Sequence, residues 1–159
     1  MVILYRPGEI SDILHSNQVG IGLAVNPDTE LPEWCYKFAE LLDQIIIMSV
    51  VPGKSGQKFI ESTHEKTRRI AKDLREHKFE GYIEADGGVN LENIGACFED
   101  GARAFVGGSA IIGQNDVRMI IKEFRNQVLE SRRRLLIKKA HDLGGTELVN
   151  SWIDLHVVG

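Results

Sequence analysis

The chain has 159 residues, about one domain's worth and enough to bury a core, and 43% of them are hydrophobic, ordinary for a globular protein. Its formal net charge of −4 argues against a nucleic-acid backbone as partner. No apolar run approaches the roughly 18 residues of a membrane span, and the N-terminus lacks a signal-peptide layout. The two cysteines, Cys35 and Cys97, show no CxxC spacing. Buried, reduced thiols and a cytoplasmic protein with no membrane partner are therefore expected.

Two kinds of segment alternate along the chain. The apolar run "VILY" (2–5) reads as a strand and 9–17 as a helix. A second strand is expected in "VGIGLAV" (19–25), then a helix over 31–42 with Pro32 where its first turn begins. The run "QIIIMSV" (44–50) is the third strand, followed by the glycine-rich "VVPGKSGQ" and a helix over 58–77. Next come "GYIEA" (81–85), the loop "DGGVN" and a helix over 91–100, with Asn90 as N-cap, Asn93 at the N3 position and Gly101 as its stop. A fifth strand, "RAFVGG" (103–108), leads into "GGSAIIG", which supplies a short turn before a long helix over 116–140. In that helix Val117, Ile120, Ile121, Phe124, Val128 and Leu129 form one apolar stripe. The charged run 131–139 reads as its solvated end, favoured by the helix dipole. Strands this continuously apolar, alternating with helices, predict a parallel sheet covered by helices.

Three consecutive strand ends thus carry glycine-rich loops. One such loop is ordinary turn chemistry. Three on one edge of a parallel sheet make an anion site, because backbone N–H groups without a Cβ nearby approach a phosphate closely. In (β/α)₈ barrels phosphate sits on the loops after the last two strands, beside a short extra helix. A phosphorylated small molecule is the expected ligand. Asp86, where the fourth strand meets its loop, is placed to exchange a proton or to bind a divalent ion, unless it only caps its own turn. Met48, on the third strand, faces the mouth or the core.

At these residues the sequence resembles the ribulose-phosphate 3-epimerase family. The matching stretches are "GLAVNPDT", "IIIMSVVPGKSGQKFI", "IEADGGVNLENI" and "AFVGGSAIIG", similar to the family's fifth to eighth strands with their loops. The resemblance runs from about residue 2 to residue 130. It implies an incomplete TIM-type (β/α) barrel of about five parallel strands over residues 1–140, with 141–159 as an extra C-terminal tail. It also implies proton transfer at C3 between ribulose 5-phosphate and xylulose 5-phosphate, by two aspartates on opposite faces of the substrate. A divalent cation of the Zn, Fe, Mn or Co type, held by those aspartates and two histidines, stabilises the ene-diolate in that family. By motif, Asp86 matches the second aspartate and thereby a metal ligand, and Met48 lines the sugar site. Gly53, Lys54, Ser55, Gly56, Gly87, Gly88, Gly108 and Ser109 match the phosphate and substrate contacts.

The departures are as informative. If 2–5 is the fourth strand, the first three are absent, and with them the other aspartate and both metal histidines. No H-x-D-x-M-D-G motif occurs. His15, His64 and His77 lie on helix-like stretches and His141 follows the last long helix, so none stands at a loop edge. Lys54 and Ser55 replace an aromatic residue and a glycine, and Lys54 adds a charge that is either a phosphate contact or simply solvated. Five strands leave a barrel open, so association with a second copy, a complementary chain or the tail itself must complete it. In the tail, Asp154 and His156 stand two apart and share a face of any strand there, offering metal ligands; an added edge strand or dimer contact anchored by Trp152 and Leu155 is the competing reading. Three functions follow: an epimerase that needs its missing strands, a non-catalytic phosphosugar-binding relative, or a structural subunit.

Overall fold

The computed structural model describes residues 19–54 and 56–143. The strand expected at 2–5, the helix at 9–17, Ser55, His15 and the tail with Trp152, Asp154, Leu155 and His156 lie outside the described residues. The elements in chain order are β1 (Gly22–Val25), α1 (Glu33–Lys37), a 3₁₀ turn (Ala39–Leu41), β2 (Gln44–Met48), α2 (Ser62–Glu76) and β3 (Tyr82–Asp86). They continue with α3 (Ile94–Asp100), β4 (Ala102–Val106), α4 (Gly108–Ile112) and α5 (Val117–Asp142).

The strands form one sheet in the order β1-β2-β3-β4, every neighbouring pair parallel. Each strand pairs with the next in sequence through a helical crossover, the βαβ unit of a barrel wall. Among the described residues no strand pairs with the outer side of β1 or β4, so the sheet is an open part of a TIM-type barrel.

One face of the sheet is dry. Val25, Ile45, Ile47, Ile83 and Ala85 pack with Ile70, Leu74, Cys97 and Phe124 in a single apolar cluster. The alternate positions Gln44, Ile46, Met48, Glu84 and Asp86 are only half-buried and Tyr82 is exposed. On that second face the Gln44 amide donates to the Glu84 carboxylate at 2.8 Å. The expectation that the strands have no wet face therefore holds on the helix side alone: the opposite face is the inner wall of the open barrel, and it carries polar side chains.

The local signals work as their chemistry requires. Gly101 closes α3 at φ 119°, a left-handed position where a Cβ would meet the Ala71 side chain at 2.6 Å. The helix expected over 31–42 is two short pieces, because the chain leaves helical geometry at Phe38 (φ −113°, ψ 16°). Pro32 stands just before the first piece, as its N-cap residue, and its carbonyl accepts from the Cys35 N–H. Both cysteines are buried and free. Burial pushes the Cys97 thiol up to about 12, far from a reactive thiolate.

The loop after β1 hangs on one buried lysine. Lys66, on α2, donates its ammonium to the carbonyls of Asn26, Pro27 and Thr29. Replacing it by methionine keeps the length of the stem but leaves those carbonyls without their donor, at about 1–3 kcal/mol. A fall in Tm of roughly 2–12 °C is the expected result for Lys66→Met in a thermal melt, at about 2–4 °C per kcal/mol for a chain of this size. An unchanged melting temperature would show that water replaces the ammonium at no cost.

Candidate phosphate-binding site at the open barrel mouth

The register of the sheet sets the floor of the site. Met48 pairs with Asp86, and Asp86 with Val106, so three side chains of the inner wall stand in one row at the C-terminal ends of β2, β3 and β4. Immediately beyond that row each strand turns into one of the glycine loops.

Those loops are tied to one another. The Ser49 N–H donates to the Asp86 carbonyl at 2.7 Å, and its hydroxyl donates to the Gly87 carbonyl at 2.6 Å. Ile60 N–H in turn donates to the Ser49 carbonyl at 2.9 Å, closing the "VVPGKSGQ" excursion at its base. The Gln57 amide braces the same loop from inside, donating to the carbonyls of Val51 (2.5 Å) and Lys54 (2.8 Å). Beside it, the Asn90 side chain accepts from the N–H groups of Glu92 (2.8 Å) and Asn93 (3.2 Å), while the Asn93 side-chain oxygen Oδ1 accepts from the Asn90 N–H at 2.8 Å. α3 begins only at Ile94, with Asn93 in place of the expected Asn90 as its N-cap residue, so these reciprocal asparagine bonds close the turn just before the helix. The remaining Asn93 amide hydrogens reach the Gly88 carbonyl at 3.0 Å, so the start of α3 also holds the "DGG" turn.

The turn geometry explains the glycines where it matters. Gly88 (φ 64°) is left-handed, and a Cβ there would lie 2.5 Å from the Phe59 backbone nitrogen. At Gly87 (φ 117°) it would strike the Val50 side chain at 2.4 Å. The two loops are therefore in backbone contact, and no side chain fits between them.

Together the loops enclose a cavity of about 350 Å³ lined by Met48, Val50, Pro52, Gly53, Lys54, Gly56, Gln57, Asp86, Gly87, Gly88, Val106, Gly108 and Ser109. Every candidate site residue within the described residues thus lines one cavity; Ser55 lies outside them. Sequence reasoning missed Ser49, Val50, Gln57, Asn93 and Val106 as parts of the site. Gln57, directly after the last loop glycine, and Asn93, singled out as a capping residue and not as part of the site, carried a local signal. Asp86 is the single carboxylate in the lining, and its side chain has no hydrogen-bond or ion-pair partner among the described residues.

The histidines stand elsewhere. His64, in the first turn of α2, bonds through Nδ1 to the buried Asp100, whose other oxygen accepts from Arg68 at 2.6 Å. It faces a second, adjoining cavity of about 720 Å³ that shares Gln57, Gly88 and Ser109 with the first. His77 closes α2, its Nδ1 2.7 Å from the Asp73 carbonyl. Among the described residues no group of three or more His, Cys, Asp or Glu side chains is placed to hold a metal ion. The described part of the mouth brings one carboxylate, Asp86, and no histidine, and that set does not fit a tightly held divalent cation. Among the described residues no helix is long and apolar enough to cross a membrane.

The family model described as the Ribulose-phosphate 3 epimerase family matches residues 7–112. The chain is 40% identical over 116 residues to the ribulose-phosphate 3-epimerase of Escherichia coli K12, covering 73% of this chain and 51% of that protein. It is 33% identical over 118 residues to the protein of the same name from Methanocaldococcus jannaschii, covering 74% and 50%. The chain thus spans about half the length of the curated relatives it matches. Among solved structures, thiamine phosphate pyrophosphorylase from Pyrococcus furiosus aligns over 82% of this chain and 81% of its own, with 17% identity and a TM-score of 0.39.

Proposed function

Since the chain belongs to the ribulose-phosphate 3-epimerase family, we propose that it forms the phosphate-binding part of a site that epimerises ribulose 5-phosphate and xylulose 5-phosphate at C3, with Asp86 as one of two proton-transfer groups. The observation that supports this reading is the meeting of Asp86 with three glycine loops in one cavity. The phosphate sits against the N–H groups of the "GKSGQ", "DGG" and "GGS" loops, with Lys54 adding charge at the rim. That contact fixes the sugar so that C3 lies over the inner wall. Met48 covers part of the sugar and keeps water from it. Asp86, half-buried and without a side-chain partner among the described residues, takes the proton from C3 on its own face and returns it there in the reverse direction. Inversion needs a second acid on the opposite face, and among the described residues no other carboxylate lines this cavity. The reaction therefore runs when a polypeptide bearing that second acid completes the barrel, whether a complementary chain or a second copy.

The single carboxylate favours a second reading, a phosphosugar-binding relative without turnover. Titration calorimetry of the purified chain with ribulose 5-phosphate and with inorganic phosphate, beside an epimerase assay, separates the two. Binding with turnover supports the enzyme; binding with none, even after the missing strands are supplied, leaves the binding module. Failure to bind either ligand overturns both.

A further inference from the structure

The outer edge of β4 lies beside a groove of apolar side chains. No strand pairs with that side of β4 among the described residues. Next to the edge, Ile94, Phe105, Ile111, Ile121, Phe124, Val128 and Leu129 line an apolar groove of about 410 Å³. Ile121 and Leu129 are 36% and 38% exposed, although both belong to the apolar stripe of α5. An open backbone edge beside uncovered apolar side chains is a surface that associates with something.

We propose that the occupant is the chain's own tail, residues 148–158 ("LVNSWIDLHVV"), docked as a strand parallel to β4. Connectivity sets the direction. The sheet is parallel, so α5 must return the chain to the end of the sheet where β4 begins. A strand that follows α5 and runs back toward the mouth lies parallel to β4, and the right-handed crossover puts it on β4's outer side. The reach is sufficient: from the end of α5 back to Ile121 is about 21 residues of helix, roughly 32 Å at 1.5 Å per residue. The 17 residues after Asp142 extend to roughly 55 Å at about 3.3 Å each. The pattern also fits, because Ile153, Leu155 and Val157 alternate with Asp154 and His156. One apolar row fills the groove and the polar row turns to the inner wall, whose neighbouring strands carry Gln44, Glu84 and Asp86. The tail thereby covers an edge that otherwise templates aggregation, and any polypeptide that completes the barrel across β4 must displace it. This inference stands apart from the reaction proposed above.

Trp152 reports on it directly once Trp34, exposed on α1, is replaced by phenylalanine. In the full-length protein the Trp152 emission is expected to be blue-shifted from its value in denaturant and shielded from acrylamide, at the mass of a monomer. Ile121→Glu with Leu129→Glu is expected to shift that emission to the red and to speed amide exchange in the tail roughly tenfold or more, as local opening becomes cheap. Should those variants unfold by circular dichroism, Ile153→Glu with Leu155→Glu tests the same contact from the tail side and must give the same red shift. A Trp152 emission already at its denatured value in the native protein overturns the proposal. So does shielding that appears only at the mass of a dimer, which would make a second copy the occupant.

Discussion

Asp86→Asn is expected to lower epimerase turnover by roughly 10²–10⁴-fold, the range associated with one positioned proton-transfer group. The assay supplies this chain with a polypeptide carrying the first three strand–helix units of the Escherichia coli relative, so that both faces of the substrate meet an acid. Asparagine preserves the volume of the side chain and its place in the Met48–Asp86–Val106 row. The loops are tied through main-chain atoms, the carbonyls of Asp86 and Gly87, which the substitution leaves alone. Ribulose 5-phosphate affinity should therefore change little, and the loss should fall on kcat. If turnover persists with asparagine at 86, the acid lies elsewhere and the proposed role is wrong. If affinity collapses with turnover, Asp86 is part of the phosphate cradle and is not a proton-transfer group.

The parts of this site that could be read from the sequence are those whose cause is local. A glycine that must adopt φ of 64° or 117° leaves its mark at its own position, and so do the two asparagines that close the turn before α3, although the helix starts three residues later than their spacing predicts. Four of the five expected strands fall within the described residues and all four are found, each within a few residues of its expected bounds. What escaped was set by partners far along the chain. Lys66 reads as one more charge on an amphipathic helix, yet its acceptors lie about 40 residues earlier. Ser49 gives no warning that it joins two loops, because its partner carbonyls belong to the end of the next strand and the loop after it. Gln44 and Glu84 face each other from neighbouring strands, and neither position alone shows that one side of the sheet is wet. Likewise periodicity locates the apolar stripe of α5 but cannot tell that Ile121 and Leu129 stay partly exposed in the described part of the fold. Which face of an element is buried is decided by what stands opposite, and that information is not in the segment itself.

Three alanine substitutions among the glycines should separate folding from ligand binding. Gly88→Ala forces a left-handed non-glycine residue, at about 1–2 kcal/mol, and adds a Cβ 2.5 Å from a backbone nitrogen that belongs to a different loop. A backbone atom cannot swing aside as a side-chain tip does, so the two loops must part and the capping contact of Asn93 with Gly88 is lost with them. Together these put the expected loss near 3 kcal/mol, roughly 6–12 °C in Tm at the sensitivity of a domain this size, and phosphate binding should fail. Gly53→Ala carries only the conformational part, since φ is 102° but nothing lies within 4 Å of the new Cβ; a fall of about 2–8 °C follows from ~1–2 kcal/mol. Gly108→Ala has neither penalty, because its backbone is not left-handed and its Cβ would enter open space at the lining of the cavity. Its melting temperature should therefore stay at the wild-type value while phosphate affinity falls, for the methyl group stands where the ligand must approach the backbone. Wild-type affinity in Gly108→Ala would place the phosphate away from the start of α4 and leave only the first two loops as its cradle.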